Sequence, residues 1–307
     1  MREEMRIMYV RLGGGLGNQM FQYAFIYSQI MENARDINMV MHRNVSEEQR
    51  SFALQIFNTS IPMHVIEEDS APMQYKINLF IRKMISFFYK RGILSRKQLK
   101  KIFALLGIVY ADEIYKYYDD CKIQNNTKYV EGAFQSCTYF DQFKNMLRKE
   151  FQISIAPSAK NIEMLEYINN TDSVCVHIRR GDYLNSVYSK KLAVCDYDYY
   201  HGAIEYMSKS ISDATFFIFT NSHEDHLWIQ ENYRFNKNIV YVDLNNPDYE
   251  ELRLMIACKH FIISNSTFSW WAQYLSENKA KMVIAPKSWN TSGDIFEGIY
   301  QSDWITL

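Results

Sequence analysis

The sequence predicts an α/β protein made of two parallel, doubly wound domains. Three observations carry that prediction. From residue 173 onward, short apolar runs alternate with helical periods of roughly 10–15 residues, the pattern of a parallel sheet wrapped by helices. At the start of the chain, the β-rich run Arg6–Leu12 runs into Gly13-Gly-Gly-Leu-Gly17 and then into a helical period. The length, 307 residues, exceeds what one hydrophobic core usually sustains, so two domains are expected.

The elements follow in order. Arg6–Leu12 reads as a strand, the glycines as its break, and Asn18–Arg35 as a helix with Phe21, Ala24, Phe25 and Met31 on one face. Ile37–Met41 reads as a second strand, and residues 42–75 show no period. Segment 76–111 holds nine Lys or Arg and no acid. Its first helix carries the apolar stripe Ile77, Phe80, Ile81, Met84, Ile85 and Phe88. Gly92 stops it. Ser95 and Gln98 form a capping box for a second helix, with Leu99, Ile102, Phe103 and Leu106 opposite Arg96, Lys97, Lys100 and Lys101. This is a basic helical hairpin, suited either to anionic lipid or to plain solvation. Ser154–Thr171 reads as a linker. Beyond it the expected strands are 173–178, 214–220, 239–242, 261–264 and 282–285. The expected helices are 197–210, 223–232, 248–258 and 266–276. The division expected is 1–155 and 156–307.

Composition narrows the function. Hydrophobic residues make up 48% and charged residues 22%, which excludes disordered, collagenous and coiled-coil chains. A net charge of −1 argues against a protein held on nucleic acid by bulk electrostatics. Five cysteines, none at C-x-x-C spacing, disfavour a disulfide scaffold and a structural zinc site and point to a reducing, cytoplasmic setting. There is no secretion signal, and no apolar run reaches the length that spans a membrane.

Four constellations remain. The Gly13–Gly17 turn sits where a strand meets a helix, where backbone N–H groups and the helix N-terminus can receive a phosphate; a simple tight turn is the alternative. It matches neither a Walker A loop nor G-x-G-x-x-G, because position 18 is Asn. His177-Ile-Arg179-Arg180-Gly-Asp182-Tyr183 ends a strand, and ligands of such sheets lie beyond strand carboxyl ends. Side chains alternate along a strand, so His177 and Arg179 share a face and Arg180 looks away. Arg179 is therefore the expected phosphate ligand, and Arg180 the residue that holds Asp182 or the loop. Ser264-Asn265-Ser266-Thr267-Phe268-Ser269-Trp270-Trp271 again passes from strand end to helix start, with hydroxyls that can cap the helix or meet phosphate oxygens. One of its tryptophans is expected in the core and the other at the site. The D-x-D of Asp196 and Asp198 can hold a divalent ion or cap a helix, and the cap is the better reading. His223-Glu-Asp-His226 lacks zinc-helix spacing and reads as surface.

Together, GGLGNQMFQYA (Gly14–Ala24), HIRRGDY (His177–Tyr183) and SNSTFSWW (Ser264–Trp271) resemble the bacterial α-1,2-fucosyltransferases, glycosyltransferase family 11. FIFTNS (Phe217–Ser222) and CKHFIISNS (Cys258–Ser266) fit as well. The resemblance implies a GT-B fold: two Rossmann-like domains whose parallel sheets face across a cleft, the first on the acceptor side and the second binding the nucleotide sugar. It implies GDP-β-L-fucose as donor and inverting transfer to the 2-hydroxyl of a galactose in an O-antigen or capsule precursor, with no metal cofactor. Gly15, Gly17, Asn18 and Gln19 are the implied donor-facing residues of the first domain. His177, Arg179, Arg180, Asn221, Glu251, Asn265, Ser266, Thr267, Phe268 and Ser269 are those of the second. Glu251 stands where relatives often carry Asp and is the candidate for guanine. Asp182 is the expected catalytic base, with an ion pair to Arg180 as its other reading and Asp196 in reserve. The alternatives are a fucosyltransferase of another linkage, an oxidoreductase that uses the glycine turn for a dinucleotide, and a nucleotide-sugar binding protein without turnover.

Overall fold

The computed structural model describes residues 7–30, the backbone of 37–41, and residues 52–180, 194–293, 296 and 298–307. The chain forms two compact units, Met1–Gln152 with Glu297–Ile299, and Ile153–Phe296 with Tyr300–Leu307.

The first unit is built from β1 (Met8–Leu12), α1 (Leu16–Ile30), β2 (Ile37–Met41), β3 (Met63–Glu67), α2 (Met73–Lys90), α3 (Arg96–Leu106), β4 (Ile108–Tyr110), β5 (Tyr129–Glu131) and α4 (Lys144–Glu150). Its five strands are all parallel, in the order β3-β2-β1-β5-β4. α1 begins at Leu16, two residues earlier than expected, so Gly17 and Asn18 belong to its first turn. Phe25 of α1 stacks on Phe134 at 3.8 Å, and Phe21 packs against Phe140. The strands β3, β4 and β5 had no counterpart in the sequence reading. β4 and β5 are three residues each, too short to show a period.

The basic hairpin forms, and Ser95 and Gln98 make the expected capping box. Its first helix turns most of its apolar stripe outward. α2 buries Tyr75, Asn78, Leu79, Arg82, Ile85 and Ser86, while Ile77, Phe80, Met84 and Phe88 of the predicted stripe are exposed. The physical reason lies beneath it. Glu131 ends β5 as a half-buried carboxylate, and Arg82 reaches down to it at 2.6 Å. Satisfying that charge outweighs burying phenylalanines.

The second unit contains α5 (Ala159–Asn169), β6 (Asp172–His177), α6 (Tyr197–Ser210), β7 (Ala214–Phe219), α7 (His223–Asn232), β8 (Asn238–Tyr241), α8 (Asp248–Ala257), β9 (His260–Ile262), α9 (Thr267–Leu275), β10 (Val283–Ala285) and β11 (Ile305–Thr306). The six parallel strands run β11-β10-β9-β6-β7-β8. Renumbered within the sheet, this is the Rossmann order 3-2-1-4-5-6 read from the β8 edge. All six residues of β7 are buried, as expected of a strand covered by helices on both faces. Three expectations need correction here. Most of the supposed linker 154–171 is the helix α5, capped by Ser158, whose hydroxyl accepts from the Asn161 N–H. Asp225 and His226 are buried, not surface residues, because α7 packs that side against Tyr241. Trp270 and Trp271 are both fully buried, edge-to-face at 5.1 Å, so neither walls a site.

Candidate active site

In the second unit, β6 and β9 are neighbours from which the strand order runs outward in both directions. Connections leave the carboxyl ends of two such strands on opposite sides, which opens a crevice there. The two polar motifs flank this point: Ile178–Arg180 follows β6 and Ile263–Ser266 follows β9. Residues almost ninety positions apart thereby meet. His177 Nδ1 lies 2.9 Å from Ser264 Oγ, and Ser264 Oγ lies 3.4 Å from Ser269 Oγ. All three are buried, and Tyr200 donates its hydroxyl to the His177 carbonyl at 3.1 Å. His177, Ser264 and Ser269 are therefore struts that fix the two loops.

Arg179 is the residue they position. Its Nη1 donates to Ser266 Oγ at 3.4 Å. Ser266 is also the N-cap of α9, accepting from the Phe268 N–H at 3.3 Å. The guanidinium thus lies at a helix N-terminus, where two sources of positive potential add. Thr267 and Phe268 are half-buried in the first turn, whereas Asn265 is buried and donates to the Trp289 carbonyl at 3.0 Å. The arrangement brings a guanidinium, a serine hydroxyl and a helix N-terminus together beyond the ends of β6 and β9.

Arg180 points elsewhere, although β6 ends at His177 and both arginines lie beyond the strand on which the expected alternation rested. It pairs with Asp225 at 3.8 Å and lies over the Trp228 ring at 3.4 Å, which ties it to α7. Asp182 lies outside the described residues. Asp196 is the N-cap of α6, its Oδ1 accepting from the Tyr199 N–H at 3.0 Å, with Asp198 in the first turn. Among the described residues no group of His, Cys, Asp and Glu is placed to hold a metal.

Glu251 and Asn221 lie on other parts of the same unit. Asn221 follows β7 and is exposed. Glu251, on α8, has no hydrogen-bond partner among the described residues, whereas its neighbour Glu250 holds Arg253 and Asn161. Burial, then Asp248 and Asp243, push the Glu251 carboxyl up to about 8. Asp243 in turn pairs with His223 and raises that imidazole above its usual range.

In the first unit the glycine turn is a braced structure. Gly14 has φ +77°, and a Cβ there would overlap the Asn18 side chain. Gln19 is fully buried; its amide donates to the Gly14 carbonyl and accepts from the Ala53 N–H, both at 3.0 Å. Gln135 donates to Asn18 Oδ1 at 3.0 Å. Gly15 precedes α1, and Gly17 lies in its first turn. The sequence reading missed the polar cluster beside this turn. Arg11 of β1 pairs with Glu131 at 2.9 Å and with Glu68 at 3.4 Å, and Tyr129 donates to Glu131 at 2.6 Å. Burial opposes the charge on Arg11, but Glu131, Tyr129, Tyr75 and Glu68 raise its pKa above the usual value. An arginine in the middle of an apolar strand was the available signal.

Two parallel Rossmann-like sheets, with Arg179 and a helix N-terminus at the switch point of the second, are the architecture of a glycosyltransferase of the GT-B fold. A solved structure with this fold is the fucosyltransferase NodZ from Bradyrhizobium, with a TM-score of 0.51 and 14% identity over 88% of this chain and 92% of that one. The chain belongs to glycosyl transferase family 11, whose model matches residues 8–307. It is 27% identical to the O-antigen biosynthesis glycosyltransferase WbnK of Escherichia coli, over 98% of this chain and all of that protein. It is 28% identical to an alpha-1,2-colitosyltransferase of Escherichia coli, over 93% of each.

Proposed function

We propose that this glycosyltransferase moves L-fucose from GDP-β-L-fucose to the 2-hydroxyl of a galactose in an O-antigen or capsule precursor, with inversion and without a metal. The observation that carries the proposal is Arg179 held by Ser266 at the α9 N-terminus, beside the β6–β9 switch point. As the galactose oxygen attacks the anomeric carbon, the bond to the GDP oxygen breaks and negative charge grows on the diphosphate. Arg179 and the α9 backbone N–H groups are placed to stabilise that charge. The transition state is oxocarbenium-like, as in related glycosyl chemistry. We assign the departing hydroxyl proton to Asp182, which is two residues beyond Arg180 in sequence. We assign guanine to Glu251, whose carboxylate suits the N1–H and 2-amino donors. The Gly13–Gly17 turn of the first unit is the other anion-binding candidate, although its Gly13 N–H is already held by Gln22 Oε1 at 3.1 Å.

A second reading is favoured by the colitosyltransferase relative. Colitose is L-fucose without its 3-hydroxyl, so the two donors differ by one oxygen. Incubation with GDP-fucose or GDP-colitose and a panel of galactosides, followed by mass and linkage analysis, separates them. Fucose in α-1,2 linkage supports the proposal. Transfer from GDP-colitose alone replaces the donor, another linkage replaces the regiochemistry, and GDP-sugar binding without product reduces the chain to a binding protein. Asp182→Asn tests the base: lost kcat with unchanged GDP affinity and melting temperature is expected. Retained turnover removes Asp182 from that role.

A further inference from the structure

We propose that α2 seats the protein on an anionic lipid surface, its outward apolar stripe at the acyl boundary and its lysine row against the headgroups. Met73, Ile77, Phe80, Met84, Phe87 and Phe88 are 39% to 71% exposed on one side of the helix. The stripe covers four turns, about 22 Å at 1.5 Å per residue. Scattered exposed apolar residues need no explanation, but a contiguous stripe of this length marks a contact surface. The inward face shows that the orientation is built in. It carries Arg82, Asn78 and Ser86, and Arg82 is anchored to half-buried Glu131 at 2.6 Å. Rolling the phenylalanines inward would therefore take from Glu131 one of its two guanidinium partners.

Charge selects the occupant. Lys76, Lys83 and Lys90 recur every seven residues along one flank of the stripe. Arg91 lies over the Phe87 ring at 4.3 Å. Three of the nine bases in this hairpin are paired: Arg82 with Glu131, Arg96 with Asp112, and Lys100 with Asp120. Lys76, Lys83, Lys90, Arg91, Lys97 and Lys101 have no carboxylate partner among the described residues. A second copy of α2 is a poor occupant, because Met73–Gly107 contains no acid and the lysine rows would face each other. An apolar stripe with bases and no acids is the pattern of a helix that lies in a membrane interface.

The test is flotation of the full chain with vesicles of equimolar phosphatidylglycerol and phosphatidylcholine, against phosphatidylcholine alone, at low and high salt. The wild type should float with the anionic vesicles, more strongly at low salt. Phe80→Glu with Phe87→Glu should cut the bound fraction at least about tenfold at either salt. Lys83→Glu with Lys90→Glu should cut it at low salt and flatten the salt dependence. All four side chains are exposed, so melting temperature and transfer to a soluble galactoside should not change. A wild type that stays off the anionic vesicles at low salt overturns the proposal, as does a double phenylalanine variant that binds like wild type. A lipid-free dimer in sedimentation velocity that this variant dissolves, without vesicle binding, assigns the stripe to a second copy instead.

Discussion

Arg179 shows how one side chain acquires a role from its neighbours. Ser266 holds it at the α9 N-terminus, while Asp225 and Trp228 hold Arg180 elsewhere. Arg179→Ala should lower kcat about 10²–10³-fold, the range for removing one charge-stabilising donor, and Arg179→Lys should restore little, because an ammonium cannot fork onto two oxygens. Steady-state kinetics with saturating donor decide this; near-wild-type turnover removes the phosphate role. Glu251 makes a pH-dependent case. Its folded pKa of about 8 stands above the ordinary 4.5. The unfolded chain ionises first, so the stability this group contributes is full below about 4.5 and is lost as pH climbs through about 8. Glu251→Gln should flatten that part of the stability–pH curve in chemical denaturation. If the carboxylate binds guanine, GDP affinity should strengthen from pH 6 toward 8 and then level off, measured by calorimetry. A flat profile in the wild type would detach Glu251 from the base. Both residues were legible as polar positions in motifs. Their surroundings were not, because Ser266 and Asp243 reach them only through the fold.

At the scale of the element, α2 is where pattern and packing part. A 3.6-residue period tells which residues share a face but not which way that face points. Here the direction is set by Glu131, which accepts from Arg11, Arg82 and Tyr129 and locks β1, β5 and α2 together. Glu131→Gln would leave two buried guanidiniums poorly neutralised and should cost about 3–5 kcal/mol in denaturant unfolding. A loss below about 1 kcal/mol would mean that the cluster is solvated and does not orient α2. The glycine turn was legible because Gly14 at φ +77° has no substitute without strain. The three-residue strands β4 and β5 were not, since so short a run carries no alternation.

For the whole molecule, the second unit reads directly from sequence to topology. Five of its six strands were placed within a residue or two of the strand ends found, because buried parallel strands are near-continuous apolar runs separated by regular helices. The sixth, β11, has two residues and gave no signal. In this unit Arg179 lies at a helix N-terminus, the place proposed for the diphosphate, while Asp196 caps α6. Activity in excess EDTA should therefore match untreated enzyme. Loss that Mn²⁺ or Mg²⁺ restores would return Asp196 and Asp198 to the site as ligands.

By itself the sequence determined the class of fold, the run of elements in the second unit, and the three motifs that carry the family. These are local properties: apolar period, glycine conformation, and the chemistry of residues within a few positions of each other. Only the tertiary structure decided that His177 leans on Ser264, that Arg180 is held by Asp225, that both tryptophans are core, and that α2 shows its phenylalanines to the outside. Each of these depends on a partner tens of residues away. A buried charge or a strand neighbour sets the orientation there, and neither leaves a trace in the local pattern.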